Sequence, residues 1–270
     1  MSKTLIQELT TEHLTIEQSG HTGWITFNDP ARHNAVSLAM WEGIPPALAR
    51  FESDDDIRSV VVTGAGGKAF VSGANISQFD KLRTGRDAVE HYEQAAEGAQ
   101  LALQNFPKPL IARIDGYCIG GGMNIALCCD IRFASEPSSM SIPAARLGLG
   151  YRFSAIQNLV RAVGAANALD IFLSAERYSA ARAKELGLVQ YVVPKEELDQ
   201  ALAGYLEKIN ANAPLTMAAG KNMIKLLTDR TADIDMQEMK RLVIQCFESA
   251  DYKEGKLAFA EKRQPVFTGK

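Results

Sequence analysis

The chain has 270 residues, 46% hydrophobic and 23% charged, with a formal net charge of -3. It is long enough to bury a substantial core, and its charge gives no case for nucleic acid or an anionic membrane as a bulk partner. No apolar run approaches the roughly 20 residues that cross a bilayer, and the N-terminal MSKTLIQELTTEHL carries no apolar signal core, so a cytoplasmic protein is expected.

In chain order, HLTIEQSG and HTGWITFND read as a β-hairpin turning at Ser19 to Gly23. Ser37 can cap a helix reaching Arg50, which Pro45 and Pro46 are expected to kink or break. Ile57 to Thr63 is a buried strand, followed by a glycine turn at residues 64–67 and a short strand and loop from Phe70 to Ile76. Asp87 to Asn105 reads as a helix stopped by Pro107 and Pro109. Next comes KPLIARIDGYCIGGGMNIALCCD, a buried strand, a glycine turn, three consecutive glycines and an apolar helix. Strands are expected at Ile131 to Ala134 and Met140 to Ile142. Helices follow at Ser154 to Val163, Ala165 to Ser174 and Ser179 to Leu186, with Gly187 as a stop. Leu188 to Val193 is the last strand, and the pattern is helical from Glu196 to Lys262. Alternating strands and helices predict an α/β architecture. The change of character near Ala211 to Pro214 places a core at residues 1–210 and a helical region at 211–270.

Three glycine-bearing stretches are candidates for chemistry. Gly116-Tyr117-Cys118-Ile119-Gly120 matches the nucleophile elbow of an α/β-hydrolase with cysteine as nucleophile. All four histidines (His13, His21, His33, His91) precede Cys118, the wrong order for that fold, so a buried structural cysteine is favoured. Gly64-Ala65-Gly66-Gly67-Lys68-Ala69 fits a loose dinucleotide fingerprint. No helix opens there, and a surface turn is favoured. The third reading joins Ser72-Gly73-Ala74-Asn75-Ile76 to Ile119-Gly120-Gly121-Gly122-Met123. Two backbone N–H groups from separate loops can form an oxyanion hole. The adjacent Cys128 and Cys129 lie in an apolar helix, where packing is favoured over a bridge. There is no CxxC, HExxH or EF-hand loop, so no protein-bound metal is expected.

At these residues the chain resembles the crotonase superfamily, the enoyl-CoA hydratase/isomerase family, over nearly its whole length. The likeness is carried by Arg32-His33-Asn34-Ala35, by Phe70 to Ile76, by Asp115 to Gly122, by Leu147-Gly148, by Ser179 to Val189 and by Phe259 to Phe267. It implies a right-handed spiral of ββα units with a C-terminal helical region that builds homotrimers, often paired into hexamers. It implies an acyl-CoA substrate, with CoA as part of that substrate and no tightly bound cofactor. The oxyanion donors would be the N–H groups of Ala74 and Gly121, and the CoA adenine and phosphates would lie near Arg32, Ala74 and Ile76. Asn75 stands where the family has aspartate.

Hydratases of the family carry two glutamates. Here those positions hold Asn124 and Ala144. An amide is no general base near neutral pH, and a methyl group offers nothing. Standard two-glutamate hydration is therefore not expected, and Asn124 and Tyr151 are the polar groups assigned to the reacting carbon. Ile142 to Tyr151 and Asp251 to Gly255 resemble methylmalonyl-CoA decarboxylase, a member that has a tyrosine at the position of Tyr151. That enzyme keeps a carboxylate where this chain has Asn124 and a histidine where it has Ala74. Arg152 is a candidate for a substrate carboxylate, although an exposed arginine is the plainer reading. His91, Tyr92 and Glu93 are candidates for the missing acid or base, although a solvated helix face is the plainer reading.

Overall fold

A computed structural model describes residues 3–74, 86–228 and 235–270. The hairpin forms as its alternation predicts: β2 (Leu14–Ser19) pairs antiparallel with β3 (Thr22–Phe27). A short strand, β1 (Thr4–Leu5), adds to the outer edge of β2. Four apolar strands then join in parallel: β4 (Ser59–Gly64), β6 (Leu110–Ile114), β8 (Ile131–Ser135) and β11 (Tyr191–Val193). Among the described residues they complete a seven-stranded sheet in the order β1-β2-β3-β4-β6-β8-β11.

A second sheet has the order β10-β9-β7-β5. Its members are only three residues long: β5 (Ala69–Val71), β7 (Tyr117–Ile119), β9 (Ser139–Ser141) and β10 (Arg177–Ser179). Strands were expected near β5 and β9 but not at β7 and β10, where a single three-residue run follows a glycine or precedes a helix start. Parallel strands need crossovers; β3 reaches β4 through α1 (Leu38–Glu52) with no strand between, and the three crossovers that follow are built alike. β4 passes to β5 and then to α2 (Arg86–Asn105). β6 passes to β7 and then to α3 (Gly121–Cys128), and β8 passes to β9 and then to α4 (Ala144–Leu147) and α5 (Phe153–Ser174). The expected repetition of ββα units is therefore present.

Helix α1 (Leu38–Glu52) opens at Ser37, whose Oγ accepts the Met40 N–H at 3.2 Å. The expected break is absent, since the helix runs through Pro45 and Pro46 without interruption. Met40, Trp41, Ile44, Ala47, Leu48 and Phe51 form one buried stripe, and that burial outweighs two missing N–H groups on a half-exposed face. In α5 the expected division is found, with non-helical dihedrals at Gly164 (φ 76°, ψ 165°). Helix α6 (Ala180–Glu185) ends before Gly187 at φ 86°, as its glycine stop predicts.

One face of the large sheet meets the main core. The other is covered by α7 (Leu198–Asn210), whose Leu198, Leu202 and Leu206 pack on Trp24, Val61, Ile111 and Phe133. The chain continues with α8 (Pro214–Thr228), α9 (Met236–Glu248) and α10 (Ala250–Glu261). Lys221 of α8 pairs with Asp130 at 2.6 Å and donates to the Lys108 carbonyl at 2.7 Å. Among the described residues no helix is long and apolar enough to cross a membrane.

Candidate active site

The three glycines at the start of α3 are required for different reasons. Gly120 has φ 54° and ψ -111°, a combination that side chains other than glycine rarely adopt. A Cβ on Gly122 would lie 2.1 Å from the Val71 carbonyl oxygen, so its absence lets α3 press against β5. Gly121 between them is free of both constraints, since the nearest atom to a Cβ there is the Ala74 nitrogen at 3.7 Å. As the first residue of α3, Gly121 has an N–H with no partner inside the helix. The helix dipole adds positive potential at that end.

The opposing loop is tied down from its far side. Asn34, fully buried with φ 56°, accepts the Asp29 N–H at 2.9 Å and donates to the Ala65 and Ala69 carbonyls at 2.9 and 2.8 Å. The Val36 N–H donates to the Gly73 carbonyl at 2.8 Å, and Val36 and Ala74 form a parallel bridge. Among the described residues, the N–H groups of Ala74 and Gly121 have no protein acceptor. Two amide donors unpaired among the described residues, from loops 47 positions apart in the chain, thus belong to residues so near that a Cβ on Gly121 would touch the Ala74 nitrogen. Such donors suit an anionic oxygen.

Arg32, 57% exposed at its side chain, pairs with Asp29 at 3.0 Å, and its carbonyl accepts the Ser72 Oγ at 3.5 Å. It therefore sits beside the Ala74 loop. Asn75 and Ile76 lie outside the described residues.

Asn124, on the first turn of α3, is buried, and its Oδ1 has no hydrogen-bond partner among the described residues. Unpaired buried carbonyl groups are rare and call for a partner. Ala144 is buried at the start of α4 and supplies only a methyl group. Tyr151 is half-buried and packs edge-on against Phe172, with ring centroids 5.7 Å apart. Burial pushes its phenol pKa up, so it is a protonated group at neutral pH.

Two expectations need correction here. Arg152 does not stand open for a substrate carboxylate, because its guanidinium grips Glu93, with the Nε contact at 2.9 Å. The face of α2 at residues 91–93 is also not uniformly solvated. His91 is exposed and pairs with Glu42 at 3.1 Å, but Tyr92 is buried and lies inside a hydrogen-bonded chain. Sequence reading missed the structural roles of Tyr92 and Asn34. The buried i, i+4, i+7 partners of Tyr92 (Ala96 and Ala99) were the available signal for its burial. Nothing in the sequence marks the positive φ of Asn34.

The other chemistries fall away. Cys118 is fully buried, its Sγ lies 3.9 Å from Met123 Sδ, and burial raises its thiol pKa, so no thiolate nucleophile exists there. Cys128 and Cys129 are unbridged, as packing predicts. Residues 65–67 form a single 3-10 turn between β4 and β5, with no helix to receive a pyrophosphate.

The sequence matches the enoyl-CoA hydratase/isomerase family over residues 17–270. This chain belongs to that family. A probable mitochondrial enoyl-CoA hydratase of Dictyostelium discoideum is 34% identical over 95% of this chain and 91% of its own. The short-chain-enoyl-CoA hydratase of Clostridium acetobutylicum is 31% identical over 93% and 96%. A crystal structure of an enoyl-CoA hydratase/carnithine racemase from Magnetospirillum magneticum superposes with a TM-score of 0.92 at 32% identity, covering 97% of each chain. The crotonase fold and an acyl-CoA-processing role are thereby established for this family member.

Proposed function

We propose that the enzyme binds a CoA thioester with its carbonyl oxygen between the N–H groups of Ala74 and Gly121, and that these donors hold an enolate of that thioester. The observation that carries this reading is the close approach of Gly121 to the Ala74 nitrogen, with both N–H groups unpaired among the described residues. Each donor is worth on the order of 3 kcal/mol to a developing oxyanion. Arg32, Ala74 and Ile76 take the adenine and phosphates. CoA enters as part of the substrate, and no tightly bound cofactor is required.

The reaction is other than two-glutamate hydration, since Asn124 and Ala144 cannot move protons. Asn124 offers its unpaired Oδ1 as an acceptor for substrate or water. Mixed with crotonyl-CoA, the enzyme should bleach the conjugated-enoyl absorbance at least about 100-fold more slowly than a two-glutamate hydratase, the loss expected without acid–base groups. A comparable rate would overturn the reading. Thioesters that bind without any turnover across a panel would mark an acyl-CoA-binding protein without catalysis.

A second reading, decarboxylation, follows from the tyrosine at position 151, whose phenol can donate a proton. The bond between Cα and a substrate carboxylate breaks, CO2 leaves, and the electron pair becomes the enolate held by the two amides. Tyr151 then returns a proton to Cα, and no base is needed. Mass spectrometry of methylmalonyl-CoA incubations tests it, and unchanged substrate rules it out.

Residues 211–270 are assigned as the helical region of a homotrimer or dimer of trimers, appended to a core at 1–210. Large apolar side chains lie open on α5 (Phe153, Leu173) and the C-terminal helices (Leu227, Phe259), up to 88% exposed at Phe259. Such surface calls for cover. Light scattering on the eluting protein should give the mass of three or six chains; a stable monomer would overturn this assignment.

A further inference from the structure

We infer that Tyr92 is a positioning residue for the Ala74 oxyanion donor, and that Trp41 holds it in place. The inference rests on the role proposed for Ala74. Trp41 Nε1–H donates to Tyr92 Oη at 3.0 Å, and Tyr92 Oη–H donates to the Val36 carbonyl at 3.3 Å. Val36 N–H donates to the Gly73 carbonyl at 2.8 Å. Gly73 C=O and Ala74 N–H belong to one planar peptide group. Fixing the carbonyl end of that plane therefore fixes the direction in which the Ala74 N–H points.

All three links are out of water. Val36, Trp41 and Tyr92 are 0%, 2% and 8% exposed. Solvent cannot replace a lost hydroxyl there, so removing it leaves the Trp41 N–H and the Val36 carbonyl without this partner out of water. Val36 stands at the entrance to α1, next to the Ser37 cap. The chain thus joins three elements that are remote in sequence: α1 through Trp41, α2 through Tyr92, and the loop after β5 through Gly73. A donor on a loop would otherwise be free to tilt, and a misplacement of about 1 Å is enough to cost a large factor in rate. By contrast the second donor, Gly121, is held by its own helix, whose Asn124 N–H binds the Gly120 carbonyl at 3.0 Å. The two donors are therefore secured by different means, and only the Ala74 donor is tied to α2 through this hydrogen-bonded chain.

The carbonyl stretch of a bound thioester tests this directly. With [1-13C]butyryl-CoA on the wild-type enzyme, difference infrared spectra should show the thioester stretch shifted to lower frequency. In Tyr92→Phe the shift should fall by about half, and kcat on the best substrate of the thioester panel should fall about tenfold with KM within about twofold, a transition-state effect rather than a binding one. Leu103→Ala, a fully buried change on the same helix, should lower Tm and leave the stretch alone. Should Tyr92→Phe not fold, Trp41→Phe removes the first link and should reduce the same shift. A full wild-type shift in the folded variant, or an equal loss in Leu103→Ala, overturns the inference alone. A wild-type enzyme that binds the thioester with no shift overturns the two-amide hole and this inference with it.

Discussion

Replacing Gly121 by proline should cost the enzyme about 10²–10³ in kcat/KM, on the order of 3–4 kcal/mol, while leaving its melting temperature nearly unchanged. Gly121 is the first residue of α3, the one helical position where proline is readily accepted, because the N–H it lacks has no partner in the helix. A Cβ there has room, meeting its nearest atom at an ordinary 3.7 Å. The substitution thus deletes one proposed oxyanion donor and keeps the helix. The measurement is turnover on the best thioester of the panel beside a thermal melt. A Gly121→Pro enzyme that melts normally and works normally would remove this amide from the mechanism. Gly121→Ala keeps the N–H and should retain most of the activity.

One residue further on, Gly122→Ala should cost the fold more than about 4 kcal/mol, or leave the chain insoluble. The added methyl would lie 2.1 Å from the Val71 carbonyl oxygen and 2.8 Å from its carbon and Cβ. β5 is paired to β7, so that carbonyl cannot swing away. Relief would come only by moving α3 off β5, which would also pull the Gly121 donor from Ala74. Urea unfolding of the soluble fraction reads the loss. Gly98→Ala is the control: the position is exposed within α2 and a methyl there meets nothing within 4 Å. It should gain about 0.5–1 kcal/mol from backbone entropy. Equal behaviour of the two variants would show that close packing is not what Gly122 provides.

Both predictions concern neighbours that look identical in sequence. The run of three glycines advertises a site but does not say which glycine serves conformation, which serves chemistry and which serves packing. The dihedrals of Gly120, the N–H of Gly121, unpaired among the described residues, and the closeness of Gly122 to Val71 separate them. The expected break at Pro45 and Pro46 teaches a related lesson. Proline preference is a local cost, whereas the buried stripe from Met40 to Phe51 is a sum over many contacts. Arg152 shows the limit for charged groups, because its partner Glu93 is 59 positions away and lies on another element.

The order of strands and helices, the hairpin, the breaks at Gly164 and Gly187 and the absence of both hydratase carboxylates were all present in the linear chain. These are local or compositional properties, set by side-chain alternation, by glycine's dihedral freedom and by the identity of single residues. The second sheet, the approach of residue 121 to residue 74, the burial of Tyr92 and the pairing of Arg152 were decided by packing. Each depends on distances between segments that the chain brings together only when its strands pair and its apolar faces leave water. Local patterning carries no record of those distances.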